Sequence, residues 1–259
     1  MSQERPNFDL VFVIDVSGSM AGAESRQTFD AISSIIEVKD GGKIIEENDR
    51  VGIIKFNENA DIILPLTKKS SFSFPDCIAS HLEHLTSDSD KKQFRCSGKT
   101  KLWDSVLLGL DCLMKREQGG SSRRKPSHPH LVVITDGGDN ESKEQNKDTI
   151  KGILQHPGDY AKSQGKDGKT FANFHCSLIS VGGKDSEQSR SFQEITKDRT
   201  NLHHFHADGA AEIASCFREV TTKVMMLKET HMEVAVTAKI VTTISEIPLA
   251  KLSSAPRRK

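Results

Sequence analysis

Residues 10–14 form an unbroken apolar run, LVFVI, that stops at Asp15 and is followed by Val16-Ser17-Gly18-Ser19. A strand that is apolar on both faces belongs in the middle of a parallel sheet, with helices covering either side. Residues 131–136, LVVITD, repeat the pattern. Residues 51–56 and 61–66 are joined by only Asn57-Glu58-Asn59-Ala60, too short for a helical crossover. That pair reads as an antiparallel hairpin, and Pro65 marks its second strand as an edge. Residues 174–181 and 201–206 read as two further strands.

Helical stripes lie between the strands. Phe29, Ile32, Ile35 and Ile36 share one face, as do Leu102, Val106, Leu110 and Leu113, and also Ile213, Phe217, Val220 and Val224. Weaker helical patterns occur at 76–85, 142–154 and 187–197. Strands alternating with helices, plus one hairpin, predict an α/β class: a doubly wound, mostly parallel sheet with helices on both faces and one antiparallel edge strand. The polar stretches 86–99, 117–129 and 156–170 read as loops. Residues 1–7 read as a tail, 8–228 as the domain and 229–259 as an extension with a basic end. Within that extension Val234, Val236, Ala238, Ile240, Thr242 and Ile244 alternate, which predicts an added edge strand over 233–244 or the start of another unit.

In open α/β sheets, ligands bind beyond the carboxyl ends of the strands, where strand order reverses. Asp15 and Asp136 each end a candidate central strand. Alternate positions of an extended segment point the same way, so Asp15, Ser17 and Ser19 converge, and Gly18 allows a tight turn between them. One carboxylate and two hydroxyls make half of a site for a hard divalent cation, which takes oxygen ligands. If the two strands are neighbours, Asp136 faces the same crevice. Thr100 lies just before the helical stripe that begins at Leu102, where a loop brings its hydroxyl toward that crevice.

On these residues the chain resembles the von Willebrand factor A domain family. DVSGSM at 15–20 matches the family's DxSxS motif, Thr100 its isolated threonine before a helix, and Asp136 the aspartate of its TDG segment. RVGIIKF and LPLT extend the likeness over residues 8–227. The resemblance implies a six-stranded sheet with a metal-ion-dependent adhesion site on top. It implies that Asp15, Ser17, Ser19, Thr100 and Asp136 hold Mg²⁺ or Mn²⁺, directly or through water. It further implies a non-enzymatic interaction module whose protein partner supplies an Asp or Glu to the metal. Lys99 departs from the small or uncharged residue usual there, and an ammonium so near the site would tune ligand preference or weaken metal affinity.

Other chemistries fit less well. A phosphohydrolase with Asp15 as nucleophile needs an acid two residues later, and Ser17 stands there instead. Gly98-Lys99-Thr100 resembles the end of a nucleotide-binding loop, but Gln93 occupies the position of the required first glycine. His203, His204 and His206 find no further residue at zinc-ligand spacing and read as part of an edge strand. A scaffold role for another surface, such as 233–244, is the remaining alternative. Asp139 and Asn140 read either as outer hydrogen-bonders to metal waters or as an ordinary loop.

Charge and cysteine usage narrow the setting. The 36 basic and 36 acidic residues cancel, so no global field favours nucleic acid or an anionic membrane. No apolar run approaches the roughly 18 residues that a membrane span needs. Five widely spaced cysteines with no CxxC pair point to reduced thiols and a cytoplasmic location.

Overall fold

The structure, a computed structural model, describes residues 7–37, 44–85, 88–115 and 127–245. The chain begins with β1 (Asn7–Asp15), α1 (Ala23–Glu37), β2 (Arg50–Phe56) and β3 (Ala60–Lys68). A short helix, α2 (Phe74–Ile78), leads into β4 (Leu82–Leu85) and β5 (Asp88–Phe94). Next come α3 (Leu102–Met114), β6 (Ser127–Thr135), α4 (Lys147–Gln155) and α5 (Pro157–Ser163). β7 (His175–Val181), α6 (Glu187–Thr196), β8 (Leu202–Ala207) and α7 (Ala210–Ser245) complete it.

Six strands form one sheet in the order β3-β2-β1-β6-β7-β8, and β4 pairs with β5 apart from it. Every neighbouring pair in the large sheet is parallel except β2–β3, the expected hairpin. The order reverses between β1 and β6, because the chain leaves β1 toward β2 and later returns on the other side. The two strands that end in Asp15 and precede Asp136 are therefore neighbours across the switch point.

Burial alternates along β1 between two covering layers. Leu10, Phe12 and Ile14 join the core that includes Ile32 and Ile35 of α1 and Phe217 and Val220 of α7. Val11 and Val13 join the opposite core, with Val106 and Leu110 of α3 and Ile150 and Leu154 of α4. Gly109 of α3 rides closest to the sheet. A Cβ there would stand 2.8 Å from Val13 Cγ2 and 2.7 Å from Leu131 Cδ1. At the opposite end from the site, Arg50 grips the buried Asp9 carboxylate with two bonds of 2.8 and 2.7 Å, tying β2 to β1.

Four expectations change. Residues 233–244 are not a strand: α7 runs unbroken to Ser245. From 210 to 247 the sequence contains neither glycine nor proline, so nothing stops the helix where its apolar spacing changes. The 76–85 segment is α-helical only to Ile78, passes through a 3-10 turn over Ala79–His81 and then extends into β4. The polar stretch 86–99 holds β5, whose Phe94 is buried against Phe29 of α1. The 156–170 stretch contains α5, opened by Pro157, whose fixed φ suits a first helical position. Arg123, Arg124 and Lys125, read as a loop, lie outside the described residues, as do 1–6 and the basic end.

Candidate functional site

Three loops meet where β1 and β6 end. Val16-Ser17 and a 3-10 turn over Gly18–Met20 follow β1. Residues 95–101 precede α3, and residues 136–146 follow β6. The Gly18 N–H donates to the Gly98 carbonyl at 3.1 Å, and the Ser97 N–H donates to the Val16 carbonyl at 2.9 Å. These two backbone bonds dock the first loop on the second.

All five sequence-predicted residues come together there. Asp15 is buried, and its Oδ1 accepts the Ser17 N–H at 2.8 Å. Ser17 Oγ lies 3.2 Å from Ser19 Oγ, and Ser19 Oγ donates to Asp136 Oδ1 at 2.8 Å. The β1 loop is thus linked to the β6 loop through a chain of oxygens. Thr100 joins through Gly137. A Cβ on that glycine would sit 3.2 Å from Thr100 Oγ1 and 4.0 Å from Ser19 Oγ. The missing side chain leaves a cradle that any larger residue would fill.

The electrostatics are those of charge held with little water. Burial pushes the Asp15 carboxyl up to about 6, against hydrogen bonds from Thr135 and Ser17 that favour its ionised form. The neighbouring Asp136 carboxylate adds to the rise. Burial also lifts Asp136, against the Ser19 hydrogen bond. Two desolvated carboxylates repel each other unless a cation or a proton lies between them.

The donor set consists wholly of oxygens, two carboxylates and three hydroxyls, the type that hard divalent cations take. Among the described residues, no group of three or more His, Cys, Asp and Glu side chains is placed to hold a metal. Any cation here would therefore depend on the serine and threonine hydroxyls as well as on the two acids. The histidines of β8 make hydrogen bonds instead: His204 Nε2 and His206 Nδ1 share the Ser180 hydroxyl at 2.8 and 3.1 Å.

Several neighbours escaped the sequence reading. The Thr135 hydroxyl donates to Asp15 Oδ2 and also bonds the Gly137 backbone. Its signal was adjacency to Asp136, which has no meaning until the partner strand is known. Lys99 turns its ammonium to Glu141, at 2.6 Å, so the charge at this rim is paired. Asp139 Oδ1 accepts the Leu102 N–H at 2.8 Å, and Ser142 Oγ accepts the N–H groups of Trp103 and Asp104. The 136–146 loop thereby caps α3.

Comparison with known proteins agrees with this geometry. The sequence profile described as the von Willebrand factor type A domain matches residues 9–219. The inter-alpha-trypsin inhibitor heavy chain H1 of Mesocricetus auratus is 26% identical over 145 residues, covering 56% of this chain. That match spans only 14% of the relative's own length. Among solved structures, a von Willebrand factor type A protein from Catenulispora acidiphila superimposes with a TM-score of 0.56 at 16% identity. It covers 85% of this chain and 43% of the other. The vWF domain of the pilus tip protein Mfa5 from Porphyromonas gingivalis also gives 0.56, at 12% identity, covering 87% of this chain and 97% of that one. At such identities the structural likeness speaks for the fold alone.

Proposed function

The chain belongs to the von Willebrand factor type A domain family, and from that premise we propose that it is a metal-dependent, non-enzymatic protein-interaction module. Domains of this family mediate protein interactions. The finer reading is that Asp15, Ser17, Ser19, Thr100 and Asp136 hold Mg²⁺ or Mn²⁺, and that a partner supplies an Asp or Glu carboxylate to it. The observation that carries this is the meeting of five oxygen-bearing side chains from three loops at the switch point of the sheet.

The protein's own groups account for the preference. Two carboxylates balance a divalent charge formally, while neutral hydroxyls donate weakly, so a bound cation would remain attractive to one more anionic oxygen. Gly137 keeps the space over Thr100 and Ser19 open. Gly98, at a φ of +75°, holds the turn that carries Thr100 toward the crevice. The Lys99–Glu141 pair and Glu58, which a Cβ at Gly98 would touch at 2.6 Å, form part of the rim that a partner would meet. A cytoplasmic setting belongs to the same proposal, on the odd count and wide spacing of the cysteines.

Calorimetric titration with Mg²⁺ and Mn²⁺ tests the metal half. Wild type is expected to take up a single ion, and Asp15→Ala and Asp136→Ala none; equal uptake by all three would overturn the assignment. Affinity capture in Mg²⁺ tests the partner half. Proteins held by wild type should be lost both in EDTA and with Asp15→Ala, and retention in both arms would sink the carboxylate reading.

A further inference from the structure

We infer that Asn140 is a positioning residue for the metal site, the clamp that keeps the Thr100 hydroxyl in register with Asp136. The inference rests on the metal reading above. It concerns a residue that coordinates nothing itself.

Thr100 has both of its backbone polar groups tied to the loop that follows β6. Its N–H donates to Asn140 Oδ1 at 2.9 Å. Its carbonyl accepts from the Asn140 and Glu141 N–H groups, both at 3.1 Å. The loop that makes these bonds starts at Asp136, so one short segment carries one candidate ligand and grips the backbone of another. The neighbouring side chains of the segment bond elsewhere: Asp139 takes the Leu102 N–H, Ser142 takes those of Trp103 and Asp104, and Glu141 pairs with Lys99. Asn140 is the side chain that reaches Thr100 itself.

Position decides whether such a clamp matters. Thr100 is buried and sits just outside α3, so helix geometry does not fix the direction of its hydroxyl. Without Asn140 Oδ1, the Thr100 N–H is left without that acceptor, and the loop gains by moving toward another one. Mg²⁺ demands near-octahedral geometry at about 2.0–2.1 Å, so a displacement of a few tenths of an ångström costs a ligand. Asn140 is itself exposed, so shortening it opens no cavity in the core. Its replacement should therefore change the site much more than the fold.

The test is Mn²⁺ binding to the full chain, by calorimetry and by the Mn²⁺ EPR signal, with unfolding temperature recorded separately in EDTA. Asn140→Ala is expected to weaken Mn²⁺ binding roughly 10- to 100-fold, the range for outer partners of metal ligands. Asn140→Asp, which keeps the acceptor oxygen, should recover most of that loss. In a Thr100→Ala background, Asn140→Ala should add nothing further, because the residue it positions no longer carries the hydroxyl. A purely structural role would instead lower the unfolding temperature in EDTA and add its full effect in both backgrounds. Wild-type affinity in Asn140→Ala, or additivity with Thr100→Ala, overturns the inference while leaving the metal reading intact. Should Asn140→Ala not fold, Asn140→Ser serves in its place, and wild-type affinity in it has the same meaning. If wild type itself binds no Mn²⁺, the reading and the inference fall together.

Discussion

Thr135 stands one residue before the aspartate of its motif, yet its hydroxyl is spent on the opposite strand. The β1–β6 register pairs Ile14 with Ile134, which sets Thr135 beside Asp15 and lets it donate to the buried carboxylate. If Asp15 holds a cation as proposed, a donor to that ligand commonly carries about a tenfold share of the metal affinity. Thr135→Val keeps the shape and removes the hydroxyl, so Mn²⁺ affinity is expected to fall roughly tenfold, with Thr135→Ser near wild type; equal calorimetric constants for all three would refute this. Asp15, Ser17, Ser19 and Asp136 were legible in the sequence because they stand at the ends of apolar runs, and Thr100 because it precedes a helical stripe and matches the family's isolated threonine. Thr135, Gly137 and the Lys99–Glu141 pair were not. Their roles depend on which strand lies next to which, and on loops meeting far apart along the chain, 42 residues for Lys99–Glu141 and 120 for Thr135–Asp15.

Among the elements, α3 shows how a local rule is overridden by packing. In an exposed helix, replacing glycine by alanine gains about 1 kcal/mol. At Gly109 the added methyl would press on Val13 and Leu131 at under 3 Å. Overpacking of this kind costs about 1–3 kcal/mol, so Gly109→Ala should lower stability in urea unfolding rather than raise it. The central strands were legible because they are apolar on both faces, and the hairpin because its linker is too short to cross over. β5 was not, since DSDKKQF has the composition of a loop and gains its place by burying Phe94 beside α1. The alternation at 233–244 suggested a strand, but with no glycine or proline between Ala210 and Ile247 the helical ladder continues through it.

At the scale of the whole molecule, stability should depend on pH through a histidine that never reaches water. His130 is buried in β6, with Nε2 3.0 Å from Ser177 Oγ and the rings of His175 and His203 following across β7 and β8. Burial, with those two rings adding to it, pushes His130 down to about 3 from 6.5. A histidine held neutral in the fold contributes its full stability above pH 6.5 and loses it as pH falls toward 3. His204, pushed down to about 4 chiefly by burial, acts in the same direction. From pH 7.5 to 4.5 the His130 share amounts to about 2–3 kcal/mol. His130→Gln removes it, so wild type should lose that much more than the variant in urea unfolding between those two pH values. An unchanged difference would place the acid sensitivity elsewhere.

α7 carries 36 residues in one unbroken helix, a contour of about 54 Å. Distance and heading along such a rod are counted in residues. Each one inserted after Val224 would advance the following chain by about 1.5 Å and turn it by about 100°. Two would nearly reverse the direction in which it leaves; seven would restore that direction to within roughly 20° while adding about 10 Å. The angular relation between the sheet and the Ser245 end of the helix is thus a matter of arithmetic, and a deletion within the helix works like a change of phase.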